Sequence, residues 1–194
     1  MIPSTSEDVF WDSCVLGRWL TDIPPGDKTD LDAMLHEAKS GKKRIYHSTI
    51  LYAEMRPKLL KSGGFNSVGD LIADMEAVLL PIGASPNIMM MAGRLRDHFF
   101  YRAPGVRQKD EKNRVMSVPD AIQLATCLHL KHDRGVSDIE FHTFDDGRGK
   151  NYEERAVSLL SLHEYSGHLQ GHEDIDKACA LTRIKPKLEQ PGFF

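Results

Sequence analysis

Apolar positions along the chain change period several times, and each change marks an element boundary. Val9 to Asp12 is a short apolar run closed by a carboxylate, and Ser13 to Leu20 then carries Val15, Leu16, Trp19 and Leu20 at the spacing of one helix face. A strand therefore runs straight into a helix. Residues 23 to 30 are turn formers, after which Leu31, Met34, Leu35 and Ala38 define a second amphipathic helix that stops at Gly41. Ile45 to His47 reads as a second strand. Ser48 is placed to cap the next helix, whose apolar positions are Ile50, Leu51 and Met55. Val68 to Leu80 keeps helical periodicity until Pro81 and Gly83. Ser85 with Pro86 then opens a further helix that runs to about His98. Residues 101 to 116 form a polar, charged connection. Ser117 and Asp120 have the spacing of a capping box, ahead of the stripe Ala121, Leu124, Ala125 and Leu128. Ile139, Phe141 and Thr143 alternate with polar residues up to Asp145 and Asp146, where Gly147 breaks the run. Ala156 to Leu162 reads as the last strand.

Strands separated by helical stretches imply parallel pairing, because parallel neighbours need a crossover and helices supply it. The class is α/β. With 41% hydrophobic and 27% charged residues over 194 positions, the chain has the material for one globular core, which excludes a disordered tail protein. No repeat or linker divides it, so the expectation is one domain over residues 1–162, followed by a polar tail over 163–194. Basic and acidic residues number 25 and 28, so only a local surface could attract nucleic acid. No apolar run approaches the roughly 18 residues of a membrane span, and Met1 to Asp8 is unlike a signal peptide. A cytoplasmic protein with no membrane partner is expected. Cys14, Cys127 and Cys179 are an odd, scattered set that reads as reduced thiols.

In open parallel sheets, ligands bind beyond the carboxyl ends of the strands. Asp12, Asp120 and Asp145, with Asp146 beside it, all fall just after a strand or at the start of a helix, and Glu54 lies one turn beyond Ile50. Each has an ordinary alternative use. Asp12 could be an N-cap, Asp120 the third residue of a capping box, Glu54 the partner of Lys58, and Asp145 and Asp146 turn residues before Gly147. As a converging set, they would repel one another unless a cation joined them. Mg²⁺ or Mn²⁺, which take oxygen ligands and bridge to phosphate oxygens, are the natural partners, making this a candidate site for phosphodiester hydrolysis.

The segments V-F-W-D-S-C-V-L (9–16), S-T-I-L-Y-A-E-M (48–55), S-V-P-D-A-I-Q-L-A-T (117–126) and F-H-T-F-D-D (141–146) resemble, in order, the four motif regions of PIN-domain nucleases. The nearest subgroup is the ribonucleases that include VapC-like toxins, and the resemblance covers about residues 8 to 162. It implies a three-layer domain with about five parallel strands, Mg²⁺ or Mn²⁺ at the carboxyl edge, and endonucleolytic cleavage of RNA. Residue by residue, Asp12, Glu54, Asp120 and Asp145 take the acidic positions. Asp12, Asp120, Asp145 and Asp146 would bind metal, and Ser13 takes the small hydroxyl position. Cys14 departs from the asparagine or serine common there. The toxin subgroup further implies an antitoxin protein that covers the cleft, and a homodimer.

Between Arg94 and Arg114 lie seven basic residues and three acidic ones, interrupted by Phe99, Phe100 and Tyr101. Cations interleaved with aromatic rings suit single-stranded RNA, so Arg102, Arg107, Lys109, Lys112 and Arg114 are candidate substrate contacts. The alternative is a solvated loop with its aromatics in the core. His163, His168, His172 and Cys179 miss zinc-ligand spacing. Two other functions compete with the nuclease. One is a catalytically inactive PIN-like module that binds RNA or protein. The other is a haloacid-dehalogenase-like phosphatase, for which Asp12, Thr143 and the Asp145 and Asp146 pair fit, but Cys14 stands where the general acid is needed.

Overall fold

The computed structural model describes residues 6–22, 25–107, 109–147 and 156–187. Ile23 and Pro24 of the expected turn, and both ends of the chain, lie outside them. Five parallel strands form one sheet in the order β3-β2-β1-β4-β5. They are β1 (Glu7–Trp11), β2 (Lys43–Ser48), β3 (Leu79–Ile82), β4 (Glu140–His142) and β5 (Arg183–Ile184). The α/β class with an all-parallel sheet between helices is as expected.

The central strand shows why the sheet must be covered twice. Phe10 packs into one core, stacked on Phe141 of β4 with ring centroids 5.3 Å apart, while Val9 and Trp11 enter the other. All three are fully buried. Side chains alternate across a strand, so a continuous apolar run needs a layer on each face. On the Phe10 side lie α6 (Pro86–Arg96), α7 (Val118–Asp133) and α9 (Glu173–Ala180). On the other side lie α1 (Ser13–Thr21), α2 (Asp27–Lys39), α4 (Pro57–Ser62) and α5 (Val68–Met75). The short α3 (Ile50–Glu54) follows β2, and α8 (Leu162–Tyr165) precedes a single 3-10 turn at Gly167–Leu169. No helix among the described residues is long and apolar enough to cross a membrane.

Four readings of the elements are corrected. The periodic stretch 68–80 is not one helix: α5 ends at Met75, and the chain turns into β3, whose Pro81 is tolerated because β3 is an edge strand. Ala156 to Leu162 is not a strand. Val157, Leu159 and Leu162 are apolar because they fill the core, and only one isolated bridge, Val115 to Ala156, is formed there. The fifth strand comes instead from the stretch read as a polar tail, where Phe141 and His142 pair with Arg183 and Ile184. Ser48 is not the N-cap of α3, a position that Thr49 takes; it ends β2, and its hydroxyl accepts from Thr126 Oγ1 at 3.2 Å and, at 3.5 Å, from the N–H of Ile50 that opens the helix.

Candidate active site

Asp12, Glu54, Asp120, Asp145 and Asp146 line one cleft of about 370 Å³, together with Ser13, Cys14 and Arg18. The cleft opens at the carboxyl ends of β1 and β4. The chain reverses its direction of strand addition between those two strands, which is where open parallel sheets place ligands.

Asp12 follows the central strand directly and is 3% exposed. Its Oδ2 accepts from Thr143 Oγ1 at 2.6 Å and from Cys14 Sγ at 3.0 Å. Those contacts hold the carboxyl in one orientation. Cys14 is itself fixed, because Phe144 N donates to its sulfur at 3.1 Å. Burial, and then the charge of Asp12, push the Cys14 thiol well above its ordinary range, so it is a hydrogen-bond donor here rather than a nucleophile.

Glu54 makes no pair with Lys58. Its Oε2 accepts from Ser13 Oγ at 2.5 Å and from Gln123 Nε2 at 3.1 Å, and Gln123 Oε1 accepts from the backbone N–H of Ser13 at 2.8 Å. Gln123 thus ties the start of α1 to the end of α3 from a position one turn after Asp120 on α7. Replacing it with leucine leaves a buried N–H and part of a carboxylate unpaired. The expected cost is about 1–3 kcal/mol of stability, measured by denaturant unfolding.

Asp120 makes only half of the expected capping box. Ser117 Oγ accepts from Asp120 N at 3.2 Å, but the Asp120 carboxyl accepts from the Ser117 hydroxyl at 2.5 Å instead of reaching back to the backbone. Asp145 has turn bonds as well as a cleft position, with Oδ1 accepting from Gly147 N at 3.2 Å and Oδ2 from Leu159 N at 2.8 Å. Asp146 Oδ2 lies 3.2 Å from Lys185 Nζ.

The carboxyls influence one another. Burial pushes Asp120 up to about 7, and the charges of Asp12, Asp145 and Glu54 add to it. Burial also raises Asp12, with Asp145 contributing, and raises Glu54, with Asp12 contributing. Asp145 is raised by burial and by Asp146, against the Leu159 and Gly147 N–H groups and the positive charge of Arg114. Among the described residues, no group of three or more His, Cys, Asp or Glu side chains is arranged to hold a metal ion. Mg²⁺ needs no such cage, because it takes one or two carboxylates and keeps several waters. The donor set fits it: hard oxygens whose mutual repulsion a cation would relieve.

The basic stretch folds largely onto itself. Arg102 and Arg114 both lie over the Tyr165 ring, at 4.7 and 4.6 Å, and both face Glu111. Arg107 donates to the Glu111 carbonyl and to Asn113 Oδ1. Phe100 is core, Tyr101 stacks on His168 at 3.5 Å, and Phe99 is 62% exposed. Lys109 and Lys112 are exposed, without an ion-pair partner among the described residues. Arg114 alone reaches the cleft rim, donating to the Ala156 carbonyl at 3.2 Å. Arg114→Glu is therefore expected to lower the melting temperature, since it sets a carboxylate against Glu111. The pair Lys109→Glu with Lys112→Glu is expected to stay within about 0.5 kcal/mol of the parent, and thermal melts distinguish the two.

Gln123, Thr143 and Arg18 belong to the site although the sequence pattern does not mark them for a nuclease. Gln123 had a usable signal, one turn from Asp120 on the same helix face, and Thr143 stands two strand positions before Asp145. The histidines near the end of the chain make other contacts. His172 packs on His98, and Cys179 Sγ lies 3.0 Å from Ser166 Oγ. No protein-family model, curated protein or solved structure matches this chain.

Proposed function

We propose that the chain is a metal-dependent endoribonuclease of the PIN class that hydrolyses RNA phosphodiester bonds. The observation that carries the reading is the convergence of Asp12, Glu54, Asp120 and Asp145 in one cleft at the switch point of a parallel sheet. Asp12, Asp120, Asp145 and Asp146 would hold Mg²⁺ or Mn²⁺, which when bound supplies a Lewis acid for a phosphoryl oxygen and lowers the pKa of water. Thr143 and Cys14 orient Asp12, while Gln123 and Ser13 orient Glu54, so both carboxyls meet substrate in a fixed pose. A toxin role, with an antitoxin and a homodimer, extends this reading through the family resemblance.

Incubating purified protein with single-stranded RNA in Mg²⁺, in Mn²⁺ and in EDTA, beside a small phosphate monoester, is the test. Internal cleavage of RNA that EDTA abolishes, with no phosphate released from the monoester, supports the reading. Monoester hydrolysis alone would favour the phosphatase. Metal-stimulated RNA binding without cleavage would favour the inactive module. The phosphatase is disfavoured by Cys14, whose thiol donates to Asp12 and offers no acid at neutral pH.

A further inference from the structure

Among the described residues that line the acidic cleft, Arg18 is the one cation, and its ion pair is with none of the acids there. Its Nη1 donates to Asp27 Oδ2 at 3.0 Å, outside the cleft, and its guanidinium lies over the Phe144 ring at 4.6 Å. Among the described residues, nothing takes its Nη2 or Nε. The side chain is 29% exposed, so a planar fork with unused donors is held at the cleft wall by one ion pair and one ring. Arginine is suited to such a place because its guanidinium stacks on rings and binds phosphate bidentately. Position matters as much as chemistry. Arg18 lies four residues after Cys14 on α1, on the same face and about 6 Å further along the helix from the acids. That is comparable to the step from one phosphate to the next along an extended strand.

We infer that Arg18 binds the phosphate next to the scissile one, so that the cleft takes a strand with at least two consecutive phosphodiesters, its acids with their metal at one and Arg18 at the other. This rests on the nuclease reading. It makes Arg18 a substrate-binding residue that favours an internal bond over a terminal or isolated phosphate ester. Lys109 and Lys112, exposed on the loop that leads to Arg114, have no comparable support from a ring and a carboxylate among the described residues.

The test uses the full chain, the parent and Arg18→Gln, with Arg18→Lys as the conservative variant. The substrates are one short single-stranded RNA and a set of copies in which a neutral methylphosphonate replaces each phosphate flanking the cut in turn. Arg18→Gln is expected to lower kcat/KM by roughly 10- to 100-fold, from the loss of a charged hydrogen bond. At one flanking position the methylphosphonate should cost the parent a similar factor, and there the two losses should fail to multiply. Arg18→Lys should recover part of the rate. Binding of uncleaved RNA should also lose about 0.7 from its logarithmic salt slope in Arg18→Gln, the contribution of one single-strand phosphate contact. Losses that multiply at every position, or an unchanged salt slope, overturn the inference while leaving the nuclease standing. A parent that binds RNA but cuts none with Mn²⁺ overturns the nuclease reading, and with it the inference as stated. Thermal melts of the variants separate either result from misfolding.

Discussion

In EDTA at pH 8, Asp120→Asn is expected to melt above the parent, and the difference should vanish as the pH falls toward 4. In the folded parent, burial and three neighbouring carboxyls push Asp120 from an ordinary 3.8 up to about 7. A carboxyl raised in this way binds its proton more tightly in the folded than in the unfolded chain. Its contribution to stability is therefore complete below about 3.8 and is lost as pH rises through about 7. At pH 8 the folded parent holds a buried charge among like charges. The amide carries none, and its oxygen still accepts from Ser117. The gain should be roughly 1–3 kcal/mol, or about 2–10 °C for a chain of this size. His142, lowered to about 4 by burial and by Lys43, and His47, lowered by burial, bend the profile the other way. Both proteins contain them, so the difference between the two curves isolates Asp120. Saturating Mn²⁺ should then reverse the order, because a cation that binds only the folded state stabilises the parent by linkage and the variant less. A parent and variant with parallel pH profiles would mean that Asp120 is a capping residue and not a member of a repelling cluster. Asp145 is the poorer choice for this test. Its carboxylate accepts from two backbone N–H groups, and an amide would turn a donor against one of them.

The acids could be found from the sequence because strand ends are legible: an apolar run stopped by a carboxylate marks both the end of β1 and a place where ligands bind. The network that aims them could not. Ser13 N to Gln123 and Asp12 to Thr143 span 110 and 131 residues of chain, and no local pattern records a contact of that length. Strand legibility failed for two reasons. β3 has four residues with a proline inside, and its apolar positions continue the period of α5, so it read as the end of a helix. β5 has two residues, too few for any alternation, and lies in a polar stretch. The segment 156–162 misled in the opposite sense, since burial without pairing leaves the same apolar composition as a strand. The basic stretch illustrates a further limit. Its excess charge was countable, but Glu111, Glu164 and Tyr165 absorb much of it, and that depends on where the chain returns.

Asp12→Asn should have the largest effect on activity, and the geometry around Asp12 says why an isosteric change is enough. Both side-chain contacts, from Thr143 and Cys14, fall on the same oxygen, Oδ2, which leaves Oδ1 without a side-chain donor among the described residues, while the backbone N–H of Ser13 adds to the support of the charged form. An asparagine must choose. With its amide oxygen toward Thr143 and Cys14, it presents an NH₂ group to the cation position; flipped, it sets that NH₂ against two donors and loses both bonds. The first arrangement keeps the fold, so circular dichroism should match the parent, and the EDTA melt at pH 8 should lie at or above it, because a buried charge that repels Asp120 and Glu54 is gone. RNA cleavage should fall by roughly 10²–10⁴, because a direct metal ligand supports several kcal/mol of charge stabilisation and each 1.4 kcal/mol is tenfold in rate. Thr143→Val provides the comparison. It keeps the Asp12 carboxylate but removes one of the two groups that aim it, a loss of support that typically costs about 10- to 100-fold. The two variants should therefore rank in that order, with partial rescue of Thr143→Val at raised Mn²⁺ and none for Asp12→Asn. Equal cleavage by parent and Asp12→Asn across a Mn²⁺ titration would remove Asp12 from the metal site and leave the cleft without its central residue.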